Sequence, residues 1–289
     1  MSFIANLFGY VLNYIYNLIP NYGYAIIIFT ILLKLILLPM TYKQQKNMKK
    51  QSELQDELNK LQIKFKNNPE MLQQETMQLY KREKISPFSG CLSSIVQLVI
   101  FLAVFYMVSS PLTYMKKIDK TKIENYKQTI SEQGESSSYP EIKIIEKYSS
   151  EDPDVSLNMN FLNLDLSKVP MQNAKDIKVF IIPALYVIIT FVNIKISNNL
   201  TNKKKDEKDK LITDGKKVEK DDDKESAEEQ MENMQQMTKS MNYMMPIMSV
   251  AIALIAPLGL SLYWLVSNIL QLGERLVINK ISEKAEKKA

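Results

Sequence analysis

The chain has 289 residues, 46% of them hydrophobic, with a formal net charge of +5 at pH 7 and a mean hydropathy of -0.17, a combination typical of a membrane protein with long charged loops. It contains no histidine and one cysteine, Cys91, which excludes an internal disulfide, histidine-based acid/base chemistry and the usual structural zinc sites. None of its seven glycines belongs to a phosphate-binding motif, so we expect no cofactor, no metal and no ATP hydrolysis by this chain.

Residues 1–20 are predicted to form an amphipathic helix that lies in the membrane interface. Apolar residues recur at helical spacing across residues 3–19, while asparagines occupy the other faces. The tyrosines of this stretch suit the level of the lipid headgroups. No basic stretch followed by a small-residue cleavage site is visible, so we expect no cleaved signal peptide.

The first transmembrane helix is predicted over residues 21–42, where Lys34 is the only charge between residues 22 and 40. About 20 apolar residues at a rise of 1.5 Å cover the hydrocarbon core. An ammonium group at the centre of that core costs about 2.5–3.5 kcal/mol on insertion scales. Lys34 therefore either extends to the nearer interface or faces a polar cavity, and its position alone leaves both possibilities open.

Residues 43–86 are predicted to form a cytoplasmic antiparallel helical hairpin. The apolar positions of its first helix follow the 4-3-4 spacing of a paired helix, at Leu54, Leu58, Leu61 and Phe65. Asn68, Pro69 and Glu70 then supply an N-cap, a first helical proline and an acidic first turn. The many charges of the hairpin are either solvated helix faces or contacts to ribosomal RNA or anionic lipid.

The second transmembrane helix is predicted over residues 87–110. Gln97 is a polar member of this span and either donates a hydrogen bond to a neighbouring helix or faces a hydrated cavity. Residues 111–176 then form a long polar extracellular insertion with balanced charges, in which we expect residues 133–139 to be a flexible loop.

The third transmembrane helix is predicted over residues 177–198. It is followed by a charged cytoplasmic loop over residues 199–240, whose charged part, residues 201–230, we expect to be disordered because it has too little apolar surface to fold alone. Methionines recur every three or four residues at the end of this loop, which is typical of helix packing and also of a surface that accepts varied apolar partners. The members of this set are Met234, Met237, Met241 and Met244.

The fourth and fifth transmembrane helices are predicted over residues 241–258 and 259–279, followed by a basic cytoplasmic tail over residues 280–289. Lysine and arginine cluster beside the first, second, third and fifth spans, and all four clusters fall on one side if the N-terminus is outside and five spans cross the membrane. The sequence therefore predicts an all-α integral membrane protein with a cytoplasmic C-terminus.

Four stretches together resemble the YidC/Oxa/Alb family of membrane protein insertases. They are residues 21–55, residues 67–101, residues 161–168 and residues 241–271, the last of which contains Pro257, Gly259, Leu260, Tyr263 and Trp264 in the pattern of the family's last two helices. The similarity covers about residues 21–108 and 160–280, and the order and spacing of its motifs are specific.

The resemblance implies five helices that enclose a hydrophilic groove, open to the cytoplasm and to lipid and closed toward the outside. Lys34 matches the family's groove cation, and this favours the polar cavity over extension to the interface. Asn193 and Trp264 match groove-lining positions, and we add Gln97 to this set. The chain departs from the family in having lysine rather than the commoner arginine at position 34, in Ser93 and Val99 where prolines are frequent, and in its longer external insertion.

The resemblance further implies a membrane protein insertase and folding chaperone that is not an enzyme. Its expected partners are nascent membrane proteins and lipids, with the ribosome and the Sec translocon as further candidates, and we expect it to work as a monomer. The methionine set and the hairpin would receive the chain at the cytoplasmic side. The absence of a large external domain favours a bacterial plasma membrane without an outer membrane.

A transporter or channel is the alternative function, together with an assembly factor for membrane complexes. A transporter requires paired intramembrane charges or an internal repeat. The sequence shows no repeat, and Lys34 is its only unambiguous mid-span charge. These observations favour the insertase.

Overall fold

The structure is a computed structural model that describes residues 2–65, 68–83, 89–212 and 251–286. The described residues divide into two compact units, one from residues within 1–37, 97–193 and 248–289, and the other from residues within 38–96 and 194–247. The described helices are α1 (Ser2–Leu18), α2 (Tyr22–Lys64), α3 (Pro69–Arg82), α4 (Ser89–Ser109), α5 (Pro111–Tyr114), α6 (Lys120–Glu132), α7 (Pro140–Tyr148), α8 (Ile181–Ile212) and α9 (Leu258–Glu286).

The first unit is built around apolar side chains from its long helices. These helices contain long apolar runs, and their buried residues form one continuous cluster. Members of this cluster that are almost completely buried include Tyr22, Ile26, Val104, Met107 and Leu260. The described part of the chain is predominantly helical, as the sequence predicts.

Two described helical stretches are long and apolar enough to cross a membrane, Tyr22–Asn47 and Ile177–Ile196. A shorter apolar helical stretch covers Ile95–Ser109. The predicted fourth span falls mostly on residues 241–250, which lie outside the described residues. Residues 251–255 are helical, and the break at Pro257 precedes α9 as the sequence predicts. Five spans remain a prediction.

Helix α1 forms where the sequence predicts a helix, and one of its faces is buried. Its buried positions are Ala5, Gly9, Leu12 and Ile15. Gly9 lies directly against the carbonyl group of Tyr114 in α5, so closely that a side chain at this position would overlap it. The opposite face leaves Phe3 and Tyr14 80% and 67% exposed. One face of this helix is therefore buried, and the other carries large exposed side chains such as Phe3 and Tyr14.

The 111–176 insertion is a folded element, which we name the cap. The sequence predicts only a polar insertion with a flexible loop, whereas the structure contains α5, α6, α7 and a small sheet, whose buried apolar side chains belong to the same cluster as those of the long helices. Ile123 and Ile130 are seven residues apart and share one face of α6, and both are buried. The expected loop at residues 133–139 lies outside helices and strands and connects α6 to α7.

The sheet of the cap consists of two short antiparallel strands, β1 (Asn160–Phe161) and β2 (Leu164–Asp165), with Asn160 opposite Asp165. The two residues between the strands, Leu162 and Asn163, have φ angles of 50° and 62°. Positive φ at both central residues is the geometry of a tight two-residue hairpin turn.

The end of α8 differs from the prediction. The helix continues to Ile212, so residues 201–212, which the sequence predicts to be disordered, have a helical backbone. Lysine and glutamate are good helix formers, and extending an existing helix avoids the cost of nucleation. The remaining residues of the predicted loop, 213–240, lie outside the described part of the chain.

The second unit pairs the distal part of α2 with α3. Leu54 and Leu79 are buried in it, and the Arg82 guanidinium lies 2.6 Å from the Glu57 carboxylate. Asn68 caps α3 as predicted, since its side-chain oxygen accepts a hydrogen bond from the Met71 amide at 3.1 Å. The placement of this unit in the cytoplasm remains a prediction.

A charged cluster in the cap makes its stability depend on pH. Lys122 Nζ donates to Asp152 at 2.7 Å and the Tyr126 hydroxyl donates to it at 2.8 Å, and these bonds lower the pKa of Asp152 to about 2. Because the folded pKa is below the ordinary value of 3.8, this stabilisation is present above pH 3.8 and is lost as the pH falls towards 2. We expect hydrogen exchange of the cap amides to accelerate as the pH falls from 3.8 towards 2. Asp152→Asn should remove this pH-dependent part of the cap's stability. Asp154→Asn, which changes a more exposed partner of Lys122, should leave it in place.

Candidate functional site

Lys34 lies within the apolar stretch of α2, and its side chain is near a carboxylate. Its side chain is 17% exposed, and its Nζ atom lies 3.6 Å from Oε2 of Glu274 on α9. The hydroxyl of Thr30, one turn earlier on α2, donates to the carbonyl of Ile26 at 2.6 Å and is therefore satisfied within its own helix. The Glu274 carboxylate is thus the charged partner of the Lys34 ammonium in this structure.

Lys34 is not the only charge within the predicted spans. Glu274 and Arg275 both lie inside the predicted fifth span, residues 259–279, and the Glu274 side chain is only 9% exposed. Sequence reasoning passed over them because charges near the end of a span usually reach the interface. Their position in the apolar run of α9 was the available signal.

Asn193 joins α8 to α9. Its side-chain Nδ2 donates to the carbonyl of Asn268 at 3.1 Å, and Nη1 of Arg275 donates to the Asn193 carbonyl at 3.4 Å. Asn193 is buried, and its Oδ1 atom has no hydrogen-bond partner among the described residues. One polar side chain therefore both fixes the helix contact and presents an unused acceptor.

Trp264 lies between aromatic rings from two other helices. The Phe101 ring of α4 is stacked at a centroid distance of 6.2 Å and an angle of 8°, and the Tyr186 ring of α8 is at 6.2 Å and 40°. The indole is buried, yet its Nε1–H has no acceptor among the described residues. Buried indole N–H groups usually find a partner, so this donor is unusual.

Three buried polar atoms in the described residues lack a hydrogen-bond partner: Asn193 Oδ1, Trp264 Nε1 and Glu274 Oε2. All three lie on α8 or α9 in the same unit as Lys34. An unsatisfied buried polar group costs about 1–3 kcal/mol, so such groups are rare without a functional reason. Their concentration around α9 is typical of a surface that exchanges hydrogen bonds with water or with a polar ligand.

For the remaining predicted site residues, Gln97 and the methionine set, the described part of the structure gives no contact that indicates a role. Gln97 is exposed on α4, one turn before Phe101, and its role stays a prediction. The methionine set Met234, Met237, Met241 and Met244 lies outside the described residues. Within the described part of the chain, no group of three or more histidine, cysteine or acidic side chains is placed to hold a metal ion.

Comparison with known proteins identifies one family across nearly the whole chain. The family model described as 60Kd inner membrane protein matches residues 14–286. Similar proteins named membrane protein insertase YidC come from Fusobacterium nucleatum, with 45% identity over 38% of this chain, and from Clostridium perfringens, with 42% identity over 36% of it. The Treponema denticola protein of the same name is 28% identical over 95% of this chain.

The alignments cover only part of each relative. They span 56% of the Fusobacterium protein, 48% of the Clostridium protein and 37% of the Treponema protein, so the chain covers less than two thirds of these relatives' length. The family assignment rests on the match over residues 14–286, which includes every residue of the site described above. The chain therefore belongs to the 60Kd inner membrane protein family, the YidC/Oxa/Alb family that its sequence resembles.

Proposed function

We propose that this protein is a membrane protein insertase and folding chaperone that moves nascent membrane proteins into the bilayer without hydrolysing ATP. The observation that carries the proposal is Lys34, a cation held inside an apolar helical stretch, 3.6 Å from the buried Glu274 carboxylate of α9. Further support comes from relatives of the same family that are named membrane protein insertase.

The proposed mechanism lowers the cost of moving a polar segment through hydrocarbon. A short hydrophilic segment cannot cross the bilayer core unaided, because its backbone groups would lose their hydrogen bonds. A hydrated groove lined by Lys34, Asn193, Trp264 and Gln97 supplies water and hydrogen-bonding groups part of the way across. The hydrophobic part of the passenger then leaves sideways into lipid, and its burial there drives the reaction.

The charge of the groove favours acidic translocated segments. The Lys34 ammonium attracts a carboxylate transiently, and the membrane potential assists the outward movement of negative charge by about 2.3 kcal/mol per charge per 100 mV. Lysine acts here as a point charge, without the two-pronged geometry of an arginine. We therefore expect acidic segments to depend on position 34 more than neutral ones.

The proposed arrangement in the membrane has five spans, with the N-terminus outside and the C-terminus in the cytoplasm of a bacterial plasma membrane. The outward apolar face of α1 lies in the interface, and the second unit forms the cytoplasmic hairpin. The methionine set, Met234, Met237, Met241 and Met244, contacts apolar passenger segments. Nascent chains and lipids are the partners of this monomer, with the ribosome and the Sec translocon delivering some substrates.

Depletion of the protein tests the proposed function. We expect insertion of a two-span substrate with a short acidic external loop to fail on depletion and to recover when the protein is restored. Normal insertion after depletion would contradict the insertase. An ion flux through protein-containing liposomes would instead favour a channel, and loss of complex assembly with intact insertion would favour an assembly factor.

A further inference from the structure

We infer that Glu274 is a specificity-determining residue that balances the charge of Lys34 and so limits the groove's preference for acidic peptide segments. This inference rests on the proposed insertase function and adds a residue to the same site. Its basis is the juxtaposition of the two side chains, one on α2 and one on α9, which are separated by 240 residues in the chain.

The geometry of the pair shows a close but incomplete interaction. The Lys34 Nζ atom lies 3.6 Å from Glu274 Oε2, which is within ion-pair range but longer than a hydrogen bond. The same Oε2 atom is buried and accepts no hydrogen bond within the described residues. The carboxylate is thus close enough to offset the ammonium charge and retains a free acceptor for another donor.

The surroundings of Glu274 favour a role in charge balance over one in helix packing. The neighbouring Arg275 already ties α9 to α8 through the Asn193 carbonyl, and Asn193 adds a second hydrogen bond to Asn268. Glu274 contributes to neither of these bonds. Its ion-pair partner among the described residues is Lys34.

The consequence for a passenger segment follows from competition. A carboxylate of the passenger must take the place of Glu274 beside Lys34, whereas a lysine of the passenger can use the free acceptor of Glu274. Because opposite charges share one site, the groove accepts both kinds of segment and prefers acidic ones only moderately. Removing the Glu274 charge leaves Lys34 unopposed and should sharpen that preference.

The test compares two substrates that differ only in a translocated segment carrying either two aspartates or two lysines. The readout is the ratio of their insertion efficiencies, which a general loss of protein or activity does not change. We expect Glu274→Gln to raise the acidic-to-basic ratio about fivefold, which corresponds to about 1 kcal/mol, because it removes the negative charge that opposes Lys34. Glu135→Gln, which removes an ion-paired glutamate of the cap, should leave the ratio unchanged.

Two further variants keep the inference falsifiable if Glu274→Gln accumulates poorly. Glu274→Asp retains the charge and should keep the ratio near that of the unmodified protein. In a Lys34→Gln background, Glu274→Gln should improve insertion of the two-aspartate substrate less than it does alone, because there is no longer a cation for which Glu274 and the passenger compete. An unchanged ratio in Glu274→Gln, while the unmodified protein inserts both substrates, would overturn this inference alone. Failure of depletion to affect either substrate would overturn the proposed function itself.

Discussion

Lys34→Glu is expected to reduce insertion of substrates with acidic translocated segments by at least about tenfold. The substitution places a second carboxylate opposite Glu274. In the unmodified protein the Lys34 ammonium lies 3.6 Å from the Glu274 carboxylate. Two nearby carboxylates repel each other, and the groove loses its attraction for an acidic passenger at the same time. A loss of about 1.4 kcal/mol of favourable interaction is sufficient for a tenfold effect. Insertion assays with acidic and neutral segments measure it.

The controls separate charge from structure. Lys34→Arg should retain insertion, and the double variant Lys34→Glu/Glu274→Lys should recover part of it by restoring an opposite-charge pair. Lys175→Glu reverses the charge of an exposed loop lysine of the cap and should have no effect. Equal insertion of acidic segments by Lys34→Glu and by the unmodified protein would show that the charge at position 34 is dispensable.

Solvent access to position 34 is a second expected result for the same site. A cysteine at position 34, in a chain whose Cys91 has been replaced, should react with a membrane-impermeant thiol reagent applied from the cytoplasmic side. A residue that faces only lipid would be protected from the reagent. Protection at position 34, with labelling at an exposed control position, would contradict a hydrated groove.

Local signals in the sequence predicted the local features of this structure. The uncharged run around Lys34 predicted a long apolar helix, Asn68 predicted the N-cap of α3, and Pro257 predicted the break before α9. Each of these features depends on residues within a few positions of one another. They could therefore be read from the spacing of apolar residues and helix-terminating residues.

Features that depend on distant contacts were not predicted. The pairing of Lys34 with Glu274 joins two helices from opposite ends of the chain, and helical periodicity carries no information about which helices are neighbours. The fold of the cap was missed for the same reason, since α6 and α7 are short helices that become stable only when Ile123 and Ile142 are buried together. In the sequence, the residues of these short helices therefore resemble those of an ordinary polar loop.

The cap fixes the ends of the two helices that carry the ion pair. The amide of Tyr22 at the start of α2 donates to the Asn158 carbonyl at 2.9 Å. At the start of α9, the Leu258 amide donates to the Lys168 carbonyl at 2.9 Å, and the Gly259 amide donates to the Leu166 carbonyl at 3.0 Å. Helix starts have free N–H groups, and here backbone carbonyls of the cap satisfy them. The cap therefore helps to hold α2 and α9, and with them Lys34 and Glu274, in register.

Gly9→Ala is expected to destabilise the contact between α1 and the cap by about 2 kcal/mol. A Cβ atom at position 9 would overlap the Tyr114 carbonyl oxygen, lie 2.5 Å from its carbon and approach the Met115 amide to 3.2 Å. These are backbone atoms, so they cannot move aside as a flexible side chain can. Overpacking of this kind costs about 1–3 kcal/mol or more, whereas alanine in a helix gains only about 1 kcal/mol over glycine. The clash therefore outweighs the gain in helix propensity.

Gly273→Ala is the matched control, because it makes the same change in α9 at a position where an added Cβ atom meets nothing within 4 Å. It should be neutral or stabilising by up to about 1 kcal/mol. Hydrogen exchange of the α1 amides, measured in detergent micelles, should accelerate in Gly9→Ala and remain unchanged in Gly273→Ala. Equal protection of α1 in both variants would mean that α1 does not pack against α5 through Gly9, and the outward orientation of Phe3 and Tyr14 would then lose its structural basis.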